Sequence, residues 1–434
     1  MGKFAVFTLG CKVNQAECED LALRLTEAGH EMVRDPSRAD LCVVNTCTVT
    51  AESDHKCRKL IRWLAKNGAR DIVVAGCYVQ VEPDALRGLP AVSLLLSNHG
   101  KEKWFEDIEA RLPGPRVGGR KNAILRSRGF IKVQDGCERG CSYCIVPLAR
   151  GAEKSRPPQE IMDTALRRLE EGCRELVLCG VNLGRFRWGD GYDLASLVRD
   201  VLSLGDFFRV RLSSIELEDL QPRWLQEWSR QRRVCPHLHL PLQSGDEGIL
   251  REMGRGYGPE DFLETADMLR ACWPRAALTS EVIVGYPGET RAAFLRTVRV
   301  LRDAGAARVH VFRFSPRPGT RDWGRRGMVD RAAAEERSAE LRRLAERWRL
   351  GYIERHAGER RTMLVERVAI NGREAVALGT TEDYIKAAMR CASDGPATGS
   401  LVEVRIEGVG EGRGLVSAVA AGSSSGDWGG GAGP

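Results

Sequence analysis

Apolar residues in the N-terminal quarter of the chain fall into short unbroken runs separated by stretches of helical periodicity. "KFAVFTLG" (Lys3–Gly10), "DLCVVNTC" (Asp40–Cys47), "DIVVAGC" (Asp71–Cys77) and "VSLLLSN" (Val92–Asn98) read as strands. Between them, the helical pattern runs over Ala16–Ala28 and Asp54–Lys66, with a shorter unit at Pro83–Arg87. Strands joined by helices imply parallel pairing through right-handed crossovers, so residues 1–112 are expected to form an open parallel α/β sheet.

"LPGPRVGGRKNA" (Leu112–Ala123) is rich in Gly and Pro and reads as a linker. Beyond it the alternation resumes with "GFIKVQ", "RELVLCG", "RVRLSS", "HLHLPLQSG", "LTSEVIVG" and "ARVHVFRF", with helical patterns such as Pro158–Glu171 and Pro259–Ala271 between them. Six such units over residues 124–350 predict a partial or complete TIM-like (β/α) barrel with function at the carboxyl ends of its strands. Ala332–Trp348 reads as a helix with Leu341, Leu344 and Trp348 along one stripe. After Glu359 the pattern changes to short strands with glycine-rich turns, predicting a small all-β barrel over 355–420. The tail 421–434, rich in Gly and Ser, reads as disordered. The whole is an α/β multidomain chain.

Composition narrows this picture. Hydrophobic residues make 43% of the 434 and charged residues 29%, as in soluble globular proteins, and no apolar run is long enough to span a membrane. With no export signal at the N-terminus, a cytoplasmic location without membrane association is expected. The net charge is +7, but between Arg111 and Arg156 eleven Lys/Arg stand against Asp135, Glu138 and Glu153. Such a basic segment suits an RNA partner, and Trp104 and Phe130 beside it are candidates for stacking an unpaired base. Fourteen cysteines in such a chain argue for thiol ligands or buried thiols rather than disulfides.

Two sets of three cysteines carry the chemistry. Cys11, Cys47 and Cys77 each follow the carboxyl end of a predicted strand, the edge where open parallel sheets bind ligands. Cys137, Cys141 and Cys144 lie in "DGCERGCSYC", after the first predicted barrel strand, with no fourth cysteine nearby. Structural zinc takes four ligands, which would require Cys173 or Cys179 as the fourth. A [4Fe–4S] cube held by three thiolates, with one iron open, fits the spacing better. At other strand ends, "LCGVNLG", "RLSSIE", "LPLQSG" and "VIVGYPGE" combine glycines that admit a ligand with polar groups that could hold it.

"CERGCSYC", with Tyr143 before its last cysteine, resembles the defining motif of radical S-adenosylmethionine enzymes. The resemblance implies that S-adenosylmethionine chelates the open iron and, on reduction, yields a deoxyadenosyl radical. It also marks Tyr143, Gly180, Asn182, Ser214, Glu216, Gln243 and Gly285 as cofactor-binding residues. "TLGCKVNQAE", "NTCTVT" and "AGCYVQ" resemble the N-terminal domain of methylthiotransferases within that superfamily, and the C-terminal segment resembles an RNA-binding TRAM domain. In that family Cys11, Cys47 and Cys77 would hold a second [4Fe–4S] cluster carrying the sulfur to be delivered. No catalytic side chain beyond the clusters is implied.

"GCKVNQ" looks most like the branch acting on N6-threonylcarbamoyladenosine beside the tRNA anticodon. The alternatives are isopentenyladenosine in tRNA, an aspartate of a ribosomal protein or, outside enzymes, a non-catalytic iron–sulfur RNA-binding or electron-transfer protein. The tRNA reading implies the anticodon stem-loop as partner, with Arg126, Arg128, Arg150, Lys154 and Arg156 as RNA contacts, and a reductant such as a flavodoxin or ferredoxin. The sulfur donor stays open. Two positions depart from the family pattern: Lys154 stands for an arginine and Glu281 for an aspartate.

Overall fold

The apolar runs of the N-terminal part become buried parallel strands: β1 (Lys3–Thr8), β2 (Glu31–Met32), β3 (Leu41–Thr46), β4 (Ile72–Gly76) and β5 (Val92–Leu96). The computed structural model describes residues 1–114, 127–372 and 374–409 and the backbone of 416–420. Arg126, most of the expected linker and the tail 421–434 lie outside the described residues. The strands pair in the order β2-β1-β3-β4-β5, each pair parallel. Every residue of β3 and β4 is buried, because helices cover both faces of the sheet. Leu21, Leu25 and Trp104 pack against Val43 and Val73 on one side, and Ile61, Leu64 and Tyr78 against Val44 and Val74 on the other. The order reverses between β1 and β3, and the carboxyl ends of strands at such a switch point form a ligand-binding crevice.

The first helix begins at Lys12, one turn earlier than its apolar pattern indicates, and runs to Glu27. Its first turn is anchored by a polar residue instead: buried Asn14 donates to Asn45 Oδ1 (2.8 Å) and to the Thr46 carbonyl (3.1 Å). The second helix begins at Ala51, three residues before its apolar pattern, behind a Thr50–Ser53 capping box. The two-residue edge strand β2 carries no apolar run and was not expected.

The six central strands form as expected: β6 (Arg128–Lys132), β7 (Glu175–Cys179), β8 (Arg209–Leu212), β9 (His237–His239), β10 (Ala277–Val284) and β11 (Arg308–Arg313). β6, β7 and β8 form one parallel sheet and β9, β10 and β11 another. A parallel bridge between Ser214 and His239 joins them into an open half-barrel of consecutive strands. Outward positions such as Leu176, Leu178, Val210, Leu238 and Val282 pack with Ile161, Leu197, Phe262 and Phe294 of the outer helices. Strand alternation sends Arg128, Glu175, Arg209, Arg211, His237, His239, Thr279 and Glu281 to the opposite, inner face, giving a polar lumen.

Two neighbouring units close that lumen. Val13 and Ala16 of the first helix pack on Phe130, Cys179 and Val181 along its open side. At the amino ends of the strands sits the C-terminal unit, in which β12 (Arg360–Asn371), β13 (Glu374–Thr381), β14 (Lys386–Ala392), β15 (Leu401–Val409) and β16 (Val416–Ala420) close a barrel. Arg209 donates to the carbonyls of Thr362 (2.8 Å) and Thr380 (2.9 Å), and Arg211 to those of Thr381 and Glu382 (3.0 Å each). Both arginines also hold buried Glu175, at 2.7 and 2.8 Å. Burial opposes ionisation of Glu175, yet Arg211, Arg128 and Arg209 keep its carboxyl well below the ordinary range. The long helix Arg331–Arg355 links the units, with Leu341 in the half-barrel core and Tyr352 and Ile353 in that of the C-terminal barrel. Among the described residues, no helix is long and apolar enough to cross a membrane.

Candidate cluster sites

The backbone puts Cys11, Cys47 and Cys77 at the switch-point edge, Cys47 and Cys77 directly after β3 and β4 and Cys11 three residues past the end of β1. Gly76 makes this possible: at φ +101° it lies so close to β3 that a Cβ there would stand 2.3 Å from Asn45 Oδ1. A Cβ on Gly10 would similarly come within 3.0 Å of the Cys47 Cβ. The Cys11 thiol donates to Asn14 Oδ1 (3.1 Å), and Asn98 Nδ2 donates to Cys77 Sγ (3.4 Å). Cys11 is exposed, whereas Cys47 and Cys77 are buried. Burial, with the neighbouring Cys77 and Cys11 thiols, pushes Cys47 up to about 12. Thiolates form in such a place only against a compensating cation, which suits an iron–sulfur cluster.

The second triad occupies the loop after β6. Gly136 sits at φ +71°, where a Cβ would fall 1.9 Å from the Ala152 carbonyl, so only glycine lets this loop cross the returning chain. Cys137 N–H then bonds the Gly151 carbonyl (3.2 Å), and Cys144 N–H bonds that of Cys141 (3.1 Å). Ser142 ties the loop down through Met253 O (3.0 Å) and Asp322 Oδ2 (2.7 Å). Burial, with the Cys141 and Cys137 thiols, pushes Cys144 up to about 12. Among the described residues, no three His, Cys, Asp or Glu side chains converge on a single ion position. A cubane asks for something else, three thiolates each meeting a different iron. The two candidates for zinc's fourth ligand lie elsewhere: Cys173 in the core under the outer helices, and Cys179 against Val13 and Phe130.

The strand-end residues surround this triad, together with one that sequence reasoning missed. Arg255 donates to Cys141 Sγ (3.4 Å) and Tyr257 Oη (3.2 Å) and forms an ion pair with Glu216. Its signal was slight, an arginine between Gly254 and Gly256 just past a helix. Asn182 gives its amide hydrogens to Asp219 (2.9 Å), and Gln243 gives its own to Glu281 (2.9 Å). The carbonyl oxygens Asn182 Oδ1 and Gln243 Oε1 are thereby left buried with no hydrogen-bond partner among the described residues. Acceptors fixed in this way fit a ligand bearing hydroxyl or ammonium donors. Gly180 packs on Gln134, whose Oε1 accepts the Asn182 N–H (2.8 Å). Ser214 makes the bridge that joins the two sheets, and Gly285 N–H donates to Glu289 (2.8 Å). Tyr143 lies against Ile249, Met253 and Tyr286 beside the triad.

The two triads are neighbours. A five-residue helix, Val146–Arg150, starts two residues after Cys144 and packs on the helix Cys77–Val81. From Cys144 to Arg150 is about 9 Å at helical rise. Arg150 is 3% exposed and reaches Glu17 (3.1 Å), Asp135 (2.8 Å) and Asn14 (2.9 Å). Lys101 and Lys132 complete this charge cluster. Burial opposes ionisation of both carboxyls, but Arg150, Lys132 and Lys101 hold them below their ordinary values of 4.5 and 3.8. Arg150→Met leaves two buried carboxylates under-compensated and should cost about 3–5 kcal/mol, read as a lower thermal midpoint. The network's stabilisation is complete above the ordinary carboxyl values and lost as pH falls through the depressed folded ones. The wild-type midpoint should therefore hold down to about pH 5 and fall steeply below about pH 4, with a smaller drop in the variant.

The expected RNA contacts separate accordingly. Arg128 is held by Glu175 (2.7 Å) and Glu366 (2.8 Å), and Arg150 by the charge cluster, so neither offers a free cation to phosphate. Arg156 is half-buried and bonds the Lys132 carbonyl (3.0 Å), while Lys154 is exposed. Trp104 is buried with its Nε1 on Ser97 O (2.9 Å), and Phe130 packs in the lumen wall, so both serve packing rather than base stacking.

Comparison with known proteins agrees with this arrangement. Residues 3–97 match the Uncharacterized protein family UPF0004, and residues 131–301 match the Radical SAM superfamily. A threonylcarbamoyladenosine tRNA methylthiotransferase of Thermotoga maritima is 36% identical over 392 residues, covering 87% of this chain and 89% of the relative. A tRNA-2-methylthio-N(6)-dimethylallyladenosine synthase of Geobacter metallireducens is 32% identical, covering 92% and 94%. Among solved structures, the radical S-adenosylmethionine methyltransferase TsrM of Kitasatospora setae, with cobalamin and a [4Fe–4S] cluster bound, shares the fold. It has a TM-score of 0.54 at 15% identity, over 72% of this chain and 75% of that one.

Proposed function

We propose that this chain, which belongs to the radical S-adenosylmethionine methylthiotransferase family, places a methylthio group on C2 of N6-threonylcarbamoyladenosine beside the tRNA anticodon. The observation that carries the proposal is the abutment of two three-thiol sites across the short helix Val146–Arg150. Cys137, Cys141 and Cys144 would hold one [4Fe–4S] cluster, and Cys11, Cys47 and Cys77 the other. When bound, the clusters and S-adenosylmethionine supply a radical able to attack an unactivated C–H bond, and the sulfur and methyl that replace the hydrogen.

The chain's own residues position these groups. Arg255 fixes the Cys141 sulfur and holds Glu216 at the rim. Asp219 and Glu281 lock the amides of Asn182 and Gln243 so that their free oxygens accept from cofactor hydroxyl or ammonium groups. Glu281, where the family pattern has an aspartate, is thus a positioning residue. Val13 and Phe130 pack together along the open side of the lumen.

The RNA would be held by exposed cations, Lys154 near the second triad and Arg367, Arg390 and Arg405 on the TRAM-like barrel. The setting is cytoplasmic, with electrons from a flavodoxin or ferredoxin. Relatives 31–36% identical that act on threonylcarbamoyladenosine by name, together with "GCKVNQ", favour this nucleoside. Nucleoside analysis of tRNA from cells with and without the gene tests it. The methylthio form of threonylcarbamoyladenosine should disappear on deletion; loss of the methylthio form of isopentenyladenosine instead would overturn the assignment.

A further inference from the structure

The charges of the lumen do not balance internally. Arg128, Arg209 and Arg211 converge on Glu175, and His239 faces Glu281 at 3.6 Å. Lys12 and Arg308 differ: neither side chain has a hydrogen bond or ion pair to an acid among the described residues. Lys12 follows Cys11, and its carbonyl accepts from the Cys179 thiol on the inner face of β7 (3.6 Å). Arg308 lies 5.9 Å from the centre of the Tyr384 ring.

Tyr384 comes from the C-terminal barrel. It holds the left-handed conformation, at φ +71°, and its ring stacks on His237 at 4.3 Å. Its hydroxyl has no partner among the described residues. Beside it opens a cavity of about 720 Å³ whose walls include Thr279, Arg308, His310, Arg342 and Tyr384. The two acids on that wall are already paired, Asp383 with Arg361 (2.7 Å) and Glu346 with Arg349 (2.7 Å). The lumen thus presents uncompensated cations and a hydroxyl donor next to a residue that would hold the sulfur-bearing cluster. It asks for an anion.

We propose that this part of the lumen receives the carboxylate on the N6 substituent of the substrate base, with Arg308 as principal contact and Tyr384 and Lys12 beside it. The inference rests on the substrate reading above and extends it to the discriminating residues. A threonylcarbamoyl group carries a carboxylate; a dimethylallyl group is a hydrocarbon and leaves the same cations bare. A half-buried cation whose counter-ion arrives only with the correct substrate penalises the wrong one through the unpaired charge. The C-terminal barrel acquires a second task, supplying a wall of the base pocket through Tyr384.

The test uses reconstituted full-length protein and anticodon stem-loops that differ only in the base: threonylcarbamoyladenosine, its methyl ester, and adenosine. Fluorescence anisotropy at one fixed salt concentration gives the affinities. Wild type should prefer the free acid over the ester by roughly ten- to a hundredfold, as for a hydrogen bond to a charged group. Arg308→Met should abolish most of that ratio without changing the affinity for the adenosine stem-loop or the iron content; Arg308→Lys should restore part of it, and Lys12→Met should reduce it. Equal binding of acid and ester by wild type, or an unchanged ratio in both methionine variants, overturns the receptor. Methylthio product formed by wild type on the free-acid stem-loop reports separately on the substrate reading, so the two can fail independently.

Discussion

Cys141→Ala should release no deoxyadenosine above background from S-adenosylmethionine and dithionite, while the N-terminal site keeps its iron. Cys141 lies in a loop whose course is set by other groups: Gly136, the Ser142 contacts to Met253 and Asp322, and the Cys137 N–H on Gly151. Removing its half-buried sulfur leaves that scaffold in place, so folding should be little affected. The cluster, however, would lose one of only three protein ligands and its contact with Arg255. Iron should fall from about eight to about four atoms per chain. The remaining iron should be retained because Cys11, Cys47 and Cys77 hang from other strands. Continued cofactor cleavage by the variant, or loss of all iron, would refute the assignment.

The strands were readable because their physical cause is local. β3 and β4 are buried on both faces and therefore appear as unbroken apolar runs, and the half-barrel strands alternate against a polar lumen. The thiols at strand ends were readable for the same reason, since a strand's end fixes where the next residue lies. Polar anchoring was not readable. The first helix starts a turn early because Asn14 bonds β3 across 31 residues, and Asn14 looks like any helix-surface residue. Arg150 was expected on RNA because it lies in a basic segment, yet Glu17, 133 residues away, buries its charge. Arg128 is neutralised in the same way by Glu366 of the C-terminal barrel. Charge counted along the chain therefore overstates the charge available at the surface. Arg255 and Tyr384 were missed because docking between distant segments gives them their roles, and no local periodicity records that.

Cys47→Ala should show the opposite separation: cofactor cleavage retained, methylthio product reduced at least about a hundredfold. Cys47 is 7% exposed, at the end of a strand buried throughout. Its neighbours hold the fold without it, since Gly76 packs on Asn45 and Asn14 clamps Asn45 and Thr46. Truncating one buried sulfur should cost no more than about 1–2 kcal/mol, too little to unfold the sheet. The second triad hangs from β6 and the loop to Gly151, so its iron and its reaction with S-adenosylmethionine should persist. Deoxyadenosine release with iron near four atoms per chain would then mark a cleavage site uncoupled from sulfur transfer. The Arg150 cluster makes this comparison demanding, because it ties the two sites together through Glu17, Asp135 and Asn14. If the ionic bridge transmits the loss of one cluster to the other, Cys47→Ala will fail in both assays, and Arg150→Met should then lower the iron content of both sites. If the sites are independent, Arg150→Met will lower the thermal midpoint and leave both iron contents unchanged.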